Sequence, residues 1–168
     1  MPGISQIEGA NLYENCIVAL HQNGHPTHVE FYLEGLHIDT YCLLWEDTYD
    51  SQLERTYNDN QSVTERAAVG ISVVLALKET DFTVIERSRR GTGFDYMLGF
   101  KEDTMFTPQA RLEISGINRE TESNSITMRY KKKLAQTSQS DETALPAYIS
   151  IVELSTPKAL FNIKELSV

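Results

Sequence analysis

An α+β fold on a mixed sheet is what this sequence predicts, and three observations predict it. A length of 168 residues fits one domain with one core. A composition of 40% hydrophobic and 23% charged residues excludes a disordered or fibrous chain. From residue 61 onward, hydrophobic periodicity gives the order helix, three strands, helix, strand.

Residues 1–60 read as an acidic, β-rich N-terminal extension. The run ENCIVALHQ, the pair Asn23-Gly24 and the run HVEFYLEG predict a hairpin, because Asn and Gly both tolerate positive φ in a two-residue turn. Val29, Phe31 and Leu33 alternate with Glu30, Tyr32 and Glu34, the pattern of a half-buried antiparallel strand, and HIDTYCLLWE predicts another. The segment WEDTYDSQLERTYNDN is polar and turn-rich, a connector with one short helix around Ser51 to Tyr57.

A long helix is predicted from Ser62 to about Thr80. Ser62 and Glu65 form an S-x-x-E capping box, and Val63, Ala67, Ile71, Val74 and Leu75 keep helical spacing. The small residues Ala67, Ala68 and Gly70 allow close packing on a sheet. Strands are predicted over 82–88, 93–100 and 110–117, the first two joined by a tight hairpin at Arg89 to Gly93. On the third, Leu112 and Ile114 face away from Arg111, Glu113 and Ser115. Ile126, Tyr130 and Leu134 recur every four residues and predict a second, more exposed helix over 119–136. A polar loop (138–146), a strand (147–154) and a closing segment (156–168) complete the chain.

The formal charge of −9 argues against a protein that coats nucleic acid by electrostatics alone. That charge is segregated: residues 1–60 hold ten acidic residues and one basic residue, Arg55, whereas residues 61–133 carry a net +2. Residues 1–60 are therefore the expected surface for a protein partner or a second copy of the chain. The amino terminus has neither the basic region nor the apolar run of a secretory leader, so Cys16 and Cys42 are expected to be reduced thiols in a cytoplasmic protein. The longest apolar stretch, Ala67 to Leu77, falls far short of the roughly 18 residues of a membrane span, and no membrane segment is expected.

Asp95 in GFDYMLG, Glu113 in RLEIS and Glu65 near the start of the long helix, set on that element order, resemble the PD-(D/E)XK nuclease superfamily over about residues 61–155. The resemblance implies a restriction-endonuclease-like αβββαβ core and Mg²⁺-dependent hydrolysis of phosphodiester bonds in nucleic acid, with Mn²⁺ as a substitute. It makes Asp95 and Glu113 metal ligands and Glu65 an assisting acid. It also implies a setting in bacterial, phage or mobile-element defence. The chemistry fits the residue types: hard carboxylate oxygens from adjacent strands suit Mg²⁺, which polarises the phosphate and lowers the pKa of a bound water.

Two departures accompany the match. Phe94 replaces the motif's Pro, and Ser115 stands where the superfamily has Lys. Arg129 and Lys133 lie four apart on one helix face and are the replacement cations, with Lys131 and Lys132 flanking them. Arg87, Arg89 and Arg90 in RSRRGTG are candidate phosphate contacts. Each has a structural alternative. Glu65 can serve only the capping box, the arginines can form a solvated hairpin tip, and Arg111 can pair with Asp95 or Glu113 in place of a metal. His21, His25 and His28 straddle a turn, so no zinc site is expected. A second function therefore stands beside the first: a nuclease-fold accessory subunit without catalysis, binding a partner through its acidic N-terminal sheet.

Overall fold

The computed structural model describes residues 1–165; the end of the closing segment, 166–168, lies outside the described residues. The chain is α+β, with one seven-stranded mixed sheet between helices. In order, the elements are α1 (Gln6–Gln22), β1 (His28–Gly35), β2 (Asp39–Leu44), α2 (Ser51–Thr56), α3 (Asn60–Glu79), β3 (Thr83–Arg87), β4 (Tyr96–Glu102), β5 (Met105–Ile117), α4 (Ile126–Thr137), a 3₁₀ segment (Ser138–Thr143), β6 (Ala147–Glu153) and β7 (Lys158–Lys164). Across the sheet the strands run β2-β1-β7-β6-β5-β4-β3. The pairs β5–β6 and β1–β7 are parallel and the others antiparallel.

From α3 to β6 the order is that expected from the sequence. β5 is longer than expected and β4 is shifted, starting at Tyr96 and running on to Glu102, because Lys101 to Pro108 continues both strands around a turn at Asp103, whose φ is +52°. The closing segment joins the sheet as β7 between β6 and β1.

The largest correction concerns residues 6–22, which are helical where extended structure was expected. Ser5 caps α1 by accepting from the Glu8 amide at 3.2 Å. Asn23-Gly24 ends this helix instead of turning a hairpin: Gly24 N donates to His21 O and His25 N to Leu20 O, the paired bonds of a Schellman cap, with Gly24 at φ +78°. The extension is thus a helix followed by the β1–β2 hairpin, and α2 supplies the expected short helix.

The capping box expected at Ser62 and Glu65 is also absent. Asp59 caps α3 through the amides of Gln61 and Ser62, so the helix starts two residues earlier. Ala67 and Ala68 are fully buried, but Gly70 faces α1, where a Cβ would come within 2.8 Å of Cys16 Sγ.

Alternation along β5 divides the core. Leu112 and Ile114 pack toward α1 and α3 with Val63, Ala67, Ile71, Val84 and Leu98. Ile117 packs toward α4 with Ile126, Ile149 and Ile151. Gly116 lets α3 approach the sheet, since a Cβ there would lie 2.6 Å from Thr64 O. Among the described residues no helix is long and apolar enough to cross a membrane.

Candidate functional site

β4 begins one residue after Asp95, so the neighbour of β5 is missing beyond Leu112. Asp95 supplies what the ladder lacks. Its amide donates to Leu112 O at 2.8 Å and its Oδ2 accepts from the Ile114 amide at 2.8 Å. This side-chain cap fixes the carboxylate beside Glu113, which projects from β5 toward α4 and is 1% exposed.

α4 provides the groups facing Glu113. Lys133 Nζ donates to Glu113 Oε1, and Gln136 Nε2 donates to the same oxygen at 3.0 Å. Glu113 Oε2 is buried and, among the described residues, has no hydrogen-bond partner. The two carboxyl groups are near enough for each to perturb the other's titration. Burial, then the Asp95 charge, pushes Glu113 up to about 7, and Lys133 only partly opposes this. Burial also raises Asp95, against the Ile114 amide and the charges of Lys133 and Arg87.

Two clefts meet at this pair. One, of about 430 Å³, is lined by Glu65, Arg66, Asp95, Ser115, Arg129, Lys132 and Lys133. The other, of about 660 Å³, runs under the 88–94 loop past Arg87, Arg89, Arg90, Glu113 and Gln139. Arg129 is held by Asn124 Oδ1 at 2.6 Å and reaches Ser115 Oγ at 3.3 Å. Glu65 sits at the mouth of the first cleft, exposed and bonded to Gln61 Nε2 at 3.1 Å. Lys131 is exposed on α4 and lines neither cleft.

Arg111 pairs with neither acid. Although on the same face of β5 as Glu113, it runs to the far end of α4, bonding Thr137 O, Ser140 Oγ, Leu145 O and Asp141. Gln136 and Arg66 are site residues that the sequence pattern did not single out. Gln136 stands three residues after Lys133 and seven after Arg129, a helical spacing that marks it out. Arg66 is fixed at the cleft wall by Glu8, at 2.9 and 2.8 Å, a contact between distant segments.

The donor set fits Mg²⁺. That ion takes one or two carboxylates and completes its octahedron with water and phosphate oxygens, and the orphaned Glu113 Oε2 beside Asp95 is an oxygen still lacking a partner. Among the described residues no cluster of three or more His, Cys, Asp and Glu is placed to hold a metal.

The raised Glu113 has a consequence for stability. The folded chain holds this proton up to about pH 7, whereas the unfolded chain releases it near 4.5. Between those values the native state binds more protons, so stability falls as pH rises and levels off above about 7. The expected loss is roughly 2–3 kcal/mol, read by urea unfolding at about pH 5 and pH 8, and Glu113→Gln is expected to flatten it. Equal slopes in the two proteins would place the titration elsewhere.

No known protein family, curated protein or solved structure matches the chain.

Proposed function

We propose that this protein is a Mg²⁺-dependent nuclease hydrolysing phosphodiester bonds, with Asp95 and Glu113 as the metal ligands. The observation that carries the reading is a carboxyl pair, Glu113 buried and Asp95 half-buried, with an unpartnered Glu113 oxygen, set between two clefts lined by cationic side chains. The order from α3 to β6, with one acid just before β4 and another in β5, agrees with the resemblance to the PD-(D/E)XK superfamily and its restriction-endonuclease-like core. A bound Mg²⁺ would polarise the phosphate and acidify a water.

The chain's own residues do the rest. Asp95 and Glu113 supply fixed negative oxygens. Lys133 takes the position of the absent motif lysine from a different element: its ammonium lies against Glu113, where it can orient water and stabilise charge on a phosphate. Arg129, steadied by Asn124, offers a guanidinium on the same wall. Arg87, Arg89, Arg90 and Lys132 can hold flanking phosphates, and Glu65 faces the cleft as the assisting acid. The acidic surface does not oppose this. Glu30, Glu34, Asp39, Glu46 and Asp47 lie on or beside the β1–β2 hairpin, and β2 is four strand spacings from β5. That is about 19 Å at the usual spacing, more than twice the Debye length of about 8 Å in physiological salt.

Digestion of single- and double-stranded DNA and RNA with Mg²⁺ or Mn²⁺ tests the proposal. Cation-dependent cleavage supports it; no cleavage with any substrate and cation overturns it. Lys133→Ala is expected to slow cleavage about 10²-fold, with partial recovery in Lys133→Arg, measured as kcat at saturating cation. A second reading keeps the fold without catalysis, as a subunit that binds a partner through residues 1–60. Ser115 at the lysine position and the net charge of that segment favour it.

A further inference from the structure

At the opposite edge of the sheet from the acid pair, a predominantly apolar groove of about 520 Å³ opens between β2, α1 and α3. Tyr13, Leu43, Trp45, Ile71 and Val74 line it, and among the described residues Lys78 is the one charged side chain in its wall. Leu44 and Val74 are 79% and 59% exposed. A groove of this kind beside solvent needs an occupant, and three features specify one.

The first is backbone direction. Tyr32 N donates to Pro157 O on the β7 side of β1, so Phe31 and Leu33 turn their amides and carbonyls toward β2, opposite Tyr41 and Asp39. The intervening Thr40, Cys42 and Leu44 therefore point theirs away from the sheet. Thr40 N is taken by Asp39 Oδ1 at 2.7 Å, leaving Cys42 and Leu44 on the last strand as a template for an added strand. The second is charge: exposed Glu30, Asp39, Glu46 and Asp47 surround this edge. The third disfavours a second copy. Pairing β2 with itself antiparallel about Cys42 would set Asp39 opposite Trp45 of the other chain, two residues from its Asp47 on the same face, so two acid pairs would stand as diagonal neighbours.

We propose that the β2 edge and its groove form a docking site for an extended cationic segment of a protein partner, its alternate apolar side chains entering the groove and its Lys or Arg residues meeting the acidic rim. The site is separate from the acid pair and holds whether or not that pair catalyses.

Trp45, the only tryptophan, lines the groove and reports occupancy through its fluorescence. The probe is a synthetic peptide of alternating Leu and Lys, compared with its Leu-Glu counterpart and with the Leu-Lys peptide N-methylated at alternate amides. Saturable change with the Leu-Lys peptide alone is expected, and Val74→Glu is expected to weaken it at least about tenfold. That variant makes the surface more acidic, so a loss there separates insertion from charge attraction. Tyr13→Glu, on the α1 wall of the groove, serves if Val74→Glu fails to fold by circular dichroism. The proposal is overturned by no change in Trp45 emission, by equal binding of the N-methylated peptide or of the variant, or by a chain that is dimeric at tens of micromolar and crosslinks through Cys42 on oxidation.

Discussion

Asp95→Asn and Glu113→Gln are each expected to lower Mg²⁺-dependent cleavage by about 10³-fold while leaving the fold intact. An amide is a poor Mg²⁺ ligand beside a carboxylate, and several kcal/mol of charge stabilisation goes with it. The fold survives because each substituted amide keeps the existing contacts. In Asp95→Asn the side-chain carbonyl can still accept from the Ile114 amide, and in Glu113→Gln it can still accept from Lys133 and Gln136. Each substitution also relieves the mutual repulsion that raises Glu113, so at neutral pH both variants should melt at or above the wild-type temperature. Mg²⁺ should raise the melting temperature of the wild type and of neither variant, since only a ligand of the native state stabilises it. Activity lost together with stability would mark the carboxylates as structural. Full activity in either variant would remove that residue from the site.

Much of the fold from α3 onward was legible because local signals there agree with one another. Helical spacing and alternation along Leu112, Glu113, Ile114 and Ser115 both point to the arrangement that forms, whereas the tight hairpin expected at Arg89 to Gly93 is an eight-residue connection, 88–95, between β3 and β4. The amino terminus shows where such signals compete. Ser5-Gln6-Ile7-Glu8 and Ser62-Val63-Thr64-Glu65 carry the same S-x-x-E pattern, yet Ser5 caps a helix and Ser62 does not, because Asp59 reaches the first amides of α3 sooner. Ile17 and Val18 favour a strand locally, but Leu12, Cys16 and Ala19 pack against α3, and that tertiary contact decides for helix. Asn23-Gly24 supplied the left-handed turn residue but not its use: the same positive φ that closes a hairpin also terminates a helix. At the site, spacing could place Lys133 and Arg129 on one face. It could not reveal that the Asp95 side chain caps a strand, or that α4 presents Gln136 to Glu113, since both depend on segments brought together only by the sheet.

Arg111→Ala is expected to destabilise the chain by about 3–5 kcal/mol, which corresponds to a melting temperature lower by roughly 10 °C for a domain of this size. The side chain is fully buried. Its Nε and Nη2 donate to Leu145 O at 3.0 and 2.7 Å, its Nη1 to Thr137 O and Ser140 Oγ at 2.9 and 2.6 Å, and its Nη2 to Asp141 at 3.2 Å. Three of these five bonds go to two main-chain carbonyls, which no second substitution can remove; truncation strips Leu145 O of both guanidinium donors and leaves Thr137 O only the Ser140 hydroxyl. Arg111→Met, which keeps the volume, should therefore recover little, and Arg111→Lys should recover only part, because an ammonium cannot span acceptors set around a planar fork. Asp141 is a lesser contributor: it is partly exposed and also paired with Lys164, so Asp141→Ala should cost well under the Arg111 substitution. Had Arg111 balanced the acid pair, Asp95→Asn or Glu113→Gln would offset its loss. With the guanidinium turned to the end of α4, neither should, and the double variants are expected to melt no higher than Arg111→Ala alone. Arg111 also fixes the end of the helix that carries Lys133 and Gln136 to Glu113, so Arg111→Lys is expected to reduce cleavage more than Mg²⁺ affinity: the ligands stay in place while the cation opposite them loosens.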